Sequence, residues 1–192
     1  MDASSMRAEN KKYSICFMSK QFANDCKNRY FRLYLQKAIM IRKAESGDLE
    51  AVNKLLGQVL KVHHDGRPDL FRPSGKKYTD EELLAIFANP DTPVFVYDEG
   101  GEVLGYAFCV LQRQDSGSLQ PLTTLYVDDI CVDETARGRH IGTMLFESVK
   151  AFASECGCHN ITLHVWECNP GAAAFYESLG LKPLFRCLEM EV

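Results

Sequence analysis

The chain has 192 residues, a formal net charge of −4, and 46% hydrophobic and 25% charged residues. This length is enough for one domain with a sizeable core, and the acidic balance argues against a protein that binds nucleic acid over its whole surface. No apolar run is long enough to cross a bilayer, so we expect no membrane partner. The eight cysteines include several in apolar, strand-like runs, and no secretory signal is evident. We therefore expect reduced thiols and a cytoplasmic location.

The first 39 residues differ in charge from the rest of the chain. They hold eight lysines and arginines against three acidic residues, and they show no clean periodicity until residues 30–35. Three interpretations stay open for this segment: a poorly ordered extension, a helix that packs on the domain or a partner, and a targeting segment. We therefore predict a basic N-terminal extension of unknown role at residues 1–39 and a folded domain at residues 40–192.

Strand-like and helix-like patterns alternate from Met40 onward, in the order β-α-α-β-β-β-α-β-α-β. The predicted strands are residues 40–44, 94–97, 103–111, 125–132, 160–166 and 184–190. The predicted helices begin near residue 49, after a capping box at 79–82, at residue 141 and at residue 170. Glycine and proline interrupt residues 63–73, which contain His63 and His64, so this segment is predicted to be a loop.

One junction between a strand and a helix carries the strongest local signal. The strand at 125–132 is followed by a glycine- and arginine-rich turn at 137–142 and then by apolar residues at helical spacing. Free backbone N–H groups and the positive end of the helix dipole meet at such a junction, which makes it an anion site with phosphate as the usual ligand. Arg137 and Arg139 favour the same ligand through charge-assisted hydrogen bonds. The alternative is a structural turn with solvated arginines.

Three segments together resemble a known family. The run Arg137-Gly138-Arg139-His140-Ile141-Gly142 is similar to a pyrophosphate loop, and residues 127–132 are similar to a splayed central strand. Residues 166–180 are similar to an Asn-x-x-Ala-x-x-Phe-Tyr-x-x-x-Gly segment. From Met40 to Val192 the chain thus resembles the GNAT superfamily of acetyl-CoA-dependent N-acetyltransferases. This resemblance implies an α/β fold with a mixed, mostly antiparallel sheet, splayed central strands and flanking helices.

The resemblance implies acetyl-CoA as the co-substrate. The residues that it assigns to cofactor binding are Ile130, Cys131, Val132, Arg137, Gly138, Arg139, His140, Ile141, Gly142, Thr143 and Asn169. A backbone N–H in residues 130–132 is expected to donate to the thioester oxygen. Asn169 is expected to bond the cofactor arm, to cap the following helix, or to do both. His140 departs from the family pattern, which has glycine there, and a histidine is tolerable if its φ is negative.

The implied reaction is direct attack of an amine on the thioester. It needs a base for the ammonium, a donor for the thioester oxygen and a proton for the departing thiolate. Asp128 and Asp129 are the base candidates, and as neighbours on a strand they are expected to face opposite sides of the sheet. The resemblance favours Asp128 and keeps Asp129 in reserve. Tyr176 is the acid candidate, and the alternative for it is a tyrosine packed on the core.

The predicted acceptor cleft takes in the aspartate pair, Glu167, Tyr126 and the loop at 63–78. Its acidic lining favours a cationic amine. A small-molecule amine is therefore the expected partner, with polyamines, amino sugars and other amines open, and with protein N-termini or lysines as an alternative. A non-catalytic acyl-CoA-binding module on the same fold is the competing class, and a pure interaction domain is the third.

A metal site is not predicted. Cys156-x-Cys158-His159 has no partner pair of ligands, and zinc sites usually need two separated pairs. We leave a homodimer open as the oligomeric state.

Overall fold

The computed structural model describes residues 40–191, and the predicted extension at residues 1–39 lies outside them. The strands are β1 (Ile41–Lys43), β2 (Val94–Glu99), β3 (Glu102–Gln114), β4 (Leu122–Val132) and β5 (Asn160–Leu163). The α-helices are α1 (Leu49–Gly66), α2 (Asp80–Ala88), α3 (Ile141–Glu155) and α4 (Pro170–Ser178). Short 3-10 turns at Ser46–Asp48 and Glu134–Ala136 precede α1 and α3.

The strands form one sheet in the order β1-β2-β3-β4-β5. The pairs from β1 to β4 are antiparallel, and β5 joins β4 in parallel. The predicted mixed, mostly antiparallel sheet is confirmed. The β3–β4 ladder is the longest, running from Gly105 opposite Val132 to Gln114 opposite Leu122. These two central strands form the frame on which the candidate site is built.

Helices cover both faces of this sheet. On one face, α1 and α2 pack through Leu55 and Leu83 against a cluster that includes Val96 and Tyr106. On the other face lies α3, whose Phe152 meets Phe95 of β2 with ring centroids 5.5 Å apart. Because both faces are buried, β2 reads as a continuous apolar run and not as an alternating one.

The helix α1 runs further than the sequence pattern indicates. It ends at Gly66, and the Arg67 N–H closes its last turn on the His63 carbonyl. His63 and His64, predicted in a loop, therefore lie in the last turn of the helix. No residue before Pro68 forbids helical backbone, so packing of α1 on the sheet extends it to that point.

The predicted last strand at residues 184–190 is wrong, because no strand is assigned there. Four apolar side chains of this segment are largely exposed: Leu184, Phe185, Leu188 and Met190. The neighbouring strand β5 also stops early, at Leu163, and offers a short edge. A strand exists only where a second strand accepts and donates its hydrogen bonds, and this segment has no such neighbour among residues 40–191. The segment is attached by a bidentate ion pair between Glu189 and Arg67 and by the edge-on contact of the Phe185 ring with His164, with ring centroids 5.7 Å apart.

Candidate active site

A buried aspartate anchors the loop between β4 and α3. Asp133, whose side chain is 4% exposed, accepts hydrogen bonds from the Thr135 backbone at 3.0 Å and hydroxyl at 2.6 Å. Lys54 Nζ and Gln58 Nε2 of α1 each donate to its other oxygen at 3.1 Å. These bonds, the Thr135 hydroxyl first, hold the pKa of Asp133 well below its usual range. The entry to the loop is thereby tied to α1.

The predicted anion loop has the geometry of an open helix N-terminus. Gly138 and His140 both have left-handed backbone, with φ of 78° and 62°. No side-chain hydrogen bond caps the start of α3. The first-turn N–H groups of a helix have no intrahelical partner and are available to an anion. The negative φ that would leave a histidine unstrained is not found at His140, although histidine is enriched among the non-glycine residues of this region.

Both arginines of the loop already form hydrogen bonds with other groups of the protein. Arg139 Nη2 lies 2.7 Å from both carboxylate oxygens of Glu99, at the end of β2. This pairing raises the pKa of Arg139. Arg137 Nε donates to the Val132 carbonyl at 3.3 Å. Binding a phosphate through Arg139 therefore requires an exchange of partners, from Glu99 to the ligand.

The sheet opens between β4 and β5. Their parallel pairing runs from Thr124 opposite Asn160 to Val127 opposite Leu163 and then stops. Beyond Val127, β4 continues in register with β3 alone. The edge of β4 that carries Ile130, Cys131 and Val132 therefore lacks a β5 partner, and it leads directly to the anion loop. This is the predicted splay of the central strands, and its unpaired edge suits an extended ligand arm.

The start of α3 is closely approached by α4. A Cβ built on Gly142 would lie 3.1 Å from the Phe175 ring, so only glycine fits this contact without displacement. At the start of α4, the Asn169 side chain accepts from the Ala172 N–H at 3.1 Å. The helix-cap alternative for Asn169 is thus observed. The neighbouring Ile141 is buried and Thr143 is half-buried.

Tyr176 follows Phe175 on α4, with ring centroids 5.2 Å apart. Its side chain is half-buried. Burial, with a smaller contribution from the charge of Asp129, raises the pKa of Tyr176. The phenol is therefore protonated at neutral pH and can donate a hydrogen bond or a proton.

The two aspartates lie at a β-bulge. The ladder register shifts between Phe108 and Cys109 of β3, which makes Asp128 the extra residue of β4. Lys77 Nζ lies 2.8 Å from Asp128 Oδ2 and 3.9 Å from Asp129 Oδ2, so both carboxylates reach one cation. The prediction that they face opposite sides of the sheet is therefore wrong. The bulge interrupts the alternation of a regular strand, and the sequence carries no local sign of it.

The two carboxylates have different surroundings. Asp129 is 11% exposed and accepts a hydrogen bond from the buried Tyr106 hydroxyl at 2.9 Å. Burial raises the pKa of Asp129 to about 6, against the opposing charge of Lys77. Asp128 is 30% exposed and accepts from Lys77, with the Tyr78 hydroxyl at 3.3 Å. One carboxylate is thus buried, with a pKa close to neutral, and the other is open to the cleft.

Three aromatic side chains form a wall at the end of α1. His63 and Phe71 have ring centroids 4.8 Å apart, and Phe71 meets Trp166 edge-on at 5.2 Å. Burial, and to a smaller extent the positive charge of Lys77, lowers the pKa of His63. Aromatic faces stabilise nearby cations. Glu167, next to Trp166 in the chain, is exposed.

Lys77 and Tyr78 lie in the loop at 63–78 that was expected to line the cleft, but neither was named there as a partner of the aspartates. Tyr106, the partner of Asp129, was not predicted at the site. Only the register of β3 against β4 could have indicated Tyr106, and nothing local marks the two loop residues. Tyr126, which was expected to line the cleft, has its hydroxyl 3.3 Å from His164 Nδ1.

Neither a metal-binding cluster nor a membrane-spanning helix is found in the part of the chain that the structure describes. Residues 40–191 contain no group of three or more His, Cys, Asp or Glu side chains that could hold a metal ion. Cys156 is exposed and Cys158 is half-buried. None of the helices described above is long and apolar enough to cross a membrane.

Comparison with known proteins identifies relatives among acetyltransferases. A family model described as the acetyltransferase (GNAT) family matches residues 60–181. Thialysine N-epsilon-acetyltransferase of Bos taurus is 26% identical over 157 residues, which cover 76% of this chain and 85% of that protein. A probable glucosamine 6-phosphate N-acetyltransferase of Drosophila melanogaster is 32% identical over 79 residues, or 41% of this chain and 34% of that protein. The match thus spans about a third of the Drosophila relative.

Solved structures agree with this assignment. A mutant of the BH1408 protein from Bacillus halodurans is 31% identical with a TM-score of 0.76, covering 79% of this chain and 98% of that one. The aminoglycoside N-acetyltransferase AAC(6')-Iy in complex with CoA shares the fold, with a TM-score of 0.59 at 17% identity, over 79% of this chain and 93% of that one. The uncapped start of α3 and the unpaired edge of β4 fit a CoA ligand. The chain therefore belongs to the GNAT family and is an N-acetyltransferase with acetyl-CoA as its co-substrate.

Proposed function

We propose that the protein acetylates a primary amine of a small cationic molecule, such as a polyamine, an amino sugar or another alkyl amine, in a ternary complex with acetyl-CoA. The observation that carries the proposal is the carboxylate pair, Asp128 and Asp129, at the bulge of β4. The pair lies on the strand whose open edge leads to the anion loop, so an amine bound there would be close to the thioester. The aromatic wall of His63, Phe71 and Trp166 supports a cationic acceptor.

Asp128 is the proposed base. Its side chain is the more exposed of the two, and its oxygen is the one within hydrogen-bond distance of an ammonium. A candidate base must first lie within hydrogen-bond distance of the proton that it removes, and its pKa is considered only after that. Asp129 is held by Tyr106 and supplies a second negative charge that attracts the cation. The family resemblance leads to the same choice.

Two further roles complete the proposed mechanism. A backbone N–H on the unpaired edge at residues 130–132 would donate to the thioester oxygen as negative charge develops there. Tyr176, which burial keeps protonated, would give a proton to the departing thiolate. Asn169 and the first turn of α3 would hold the cofactor arm and its pyrophosphate.

The decisive experiment is the turnover of Asp128→Asn against a panel of polyamines, amino sugars, lysine analogues and peptides. Loss of the base should lower kcat on the order of 100-fold or more, with thiol release as the readout. The dissociation constant for acetyl-CoA should stay unchanged, since the carboxylate does not touch the pyrophosphate loop. Asp91→Asn is the matched control, because Asp91 is an exposed carboxylate paired with Arg113.

Two outcomes would contradict the proposal. Equal kcat in Asp128→Asn and the parent would remove Asp128 from the mechanism. Turnover of peptide amines alone, with no small amine accepted, would assign the protein to the protein-acetylating alternative.

A further inference from the structure

Lys77 holds a primary ammonium at the carboxylate pair. Its Nζ lies 2.8 Å from Asp128 Oδ2 and 3.9 Å from Asp129 Oδ2. The ring of Tyr78 lies 5.4 Å from the same nitrogen, and the lysine side chain is 42% exposed. An acceptor amine must come within hydrogen-bond reach of the base before it can react. Lys77 already meets that requirement with respect to Asp128.

The neighbouring lysine shows that this placement is specific. Lys76 Nζ contacts Asp80 at the start of α2 at 2.7 Å, so consecutive lysines are directed to different carboxylates. Lys61 pairs with Asp65 and Lys150 with Glu147, each within a single helix. Among the lysines for which residues 40–191 show an ion pair, Lys77 is the one at the aspartate pair.

The segment that carries Lys77 can accommodate a small shift of its side chain. Residues 67–79 form turns and bends without a helix or a strand, and Lys77 stands two residues before the Thr79 cap of α2. Segments with few backbone hydrogen bonds are the ones that open at least cost. A shift of the flexible lysine stem toward the open edge of β4 therefore leaves the core packing intact.

We propose that Lys77 is an acetyl acceptor of this enzyme, which modifies its own lysine when no amine substrate is bound. The inference rests on the proposed function, since it uses the same base. The Lys77 nitrogen forms a bond to the thioester carbonyl carbon, and the carbon–sulfur bond breaks. Of the two protons that the ammonium loses, one reaches solvent by way of Asp128 and one ends on the CoA thiol by way of Tyr176. The products are an amide and free CoA.

Self-acetylation changes the charge of the acceptor site. The amide is neutral, so Asp128 and Asp129 lose their internal cation and are left to an external ammonium. A cationic amine that occupies the pair displaces Lys77 and slows its modification. A bound amine should therefore protect Lys77 from acetylation, whereas it should not protect surface lysines from chemical acetylation.

The test is intact-mass spectrometry and peptide mapping of the purified full-length protein after incubation with acetyl-CoA and no amine. We expect one acetyl group per chain, on Lys77, at a rate independent of protein concentration. Lys77→Arg should abolish this modification and Lys76→Arg should leave it unchanged. Asp128→Asn, with its folding checked by thermal unfolding, should slow it at least tenfold, and an excess of a diamine should also slow it.

Acetylation spread evenly over Lys76 and other exposed lysines, or a rate unaffected by Asp128→Asn, would overturn the proposal. Thiol release with the amine panel is measured on the same preparation. Turnover of an amine without modification of Lys77 would refute the self-acetylation alone. Absence of both reactions would refute the proposed function as well.

Discussion

At the scale of single residues, Asp128 and Asp129 are neighbours in sequence with unlike chemistry. The bulge brings both to Lys77, while Tyr106 and burial single out Asp129. Two carboxylates close together repel each other when both are charged, and Asp128 adds to the rise in the pKa of Asp129. Asp129 is thus the carboxylate that is more easily protonated, and Asp128 is the one that is open to the cleft.

Asp129→Asn should raise the free energy of unfolding more at neutral pH than at acidic pH. The pKa of Asp129 is about 6 in the fold against an ordinary 3.8, so the folded state holds the proton more tightly than the unfolded chain. The parent therefore loses stability as pH rises through this window, whereas the asparagine variant does not. We therefore expect the difference in Tm, variant minus parent, to be larger at about pH 7.5 than at about pH 4.

Asp91→Asn serves as the control for this titration. Its carboxylate is exposed, and Arg113 lowers its pKa, so its contribution has the opposite sign. An equal Tm difference between Asp129→Asn and the parent at both pH values would contradict the assignment of a raised pKa to Asp129.

His140→Gly should stabilise the protein. His140 has φ of 62° and ψ of 17°, where a Cβ is strained by roughly 1–2 kcal/mol. Glycine adds conformational freedom to the unfolded chain, which offsets roughly 0.4–1 kcal/mol of that gain. We expect a small rise in Tm, measured by calorimetry, and acetyl-CoA binding at least as tight as in the parent.

His140→Ala is the matched control for the glycine variant. It removes the imidazole but keeps the Cβ, so it should bring no gain in Tm. An equal effect of the two substitutions would show that the backbone conformation at residue 140 costs nothing.

At the scale of elements, the site depends on how closely α3 and α4 approach. The contact of Gly142 with the Phe175 ring sets the distance between the helix that offers its N-terminus and the helix that carries Tyr176. The proposed site combines a strand bulge, an uncapped helix and a close helix contact. Each is a local departure from regular structure at a point where a ligand must be admitted.

Gly142→Ala should impair the reaction more than the fold. The added Cβ would lie 3.1 Å from the Phe175 ring, so this ring must give way by a few tenths of an ångström, and we expect a shift of α4 to carry Tyr176 with it. Overpacking costs typically about 1–3 kcal/mol, against roughly 1 kcal/mol gained from helix propensity. We expect kcat to fall several-fold while Tm changes little.

Gly171→Ala in α4 is the control for Gly142→Ala. A Cβ at Gly171 meets nothing nearer than Asn169 Oδ1 at 3.8 Å, so this variant should keep the parent kcat. Combining Gly142→Ala with Phe175→Leu should relieve the crowding and recover part of the activity. Unchanged kcat in Gly142→Ala alone would show that the helix contact does not position Tyr176.

At the scale of the whole molecule, the sheet is both the core and the frame of the site. The long β3–β4 ladder fixes the bulge, and α1 on one face and α3 on the other hold these strands in place. Asp133 ties the anion loop to α1 through Lys54 and Gln58. The cytoplasmic location stays a prediction, the homodimer was left open, and no role was predicted for residues 1–39.

The sequence by itself determined the features whose causes are local. The Thr79 capping box starts α2 as expected, since both of its hydrogen bonds join residues three apart. The order of elements from β1 to α4, the turn that leads into α3 and the family follow from periodicity, turn residues and motif spacing. Such signals act within a few residues, so the printed sequence contains them in full.

Only the tertiary structure decided which distant residues meet. Lys77 and Asp128 are 51 positions apart, and Tyr106 and Asp129 are 23 apart, so no local pattern encodes either contact. The bulge that turns both carboxylates to one side arises from the register of β3 on β4. Residues 184–190 have a strand-like sequence, yet a strand also needs a neighbour to complete its hydrogen bonds, and that neighbour is set by the whole fold.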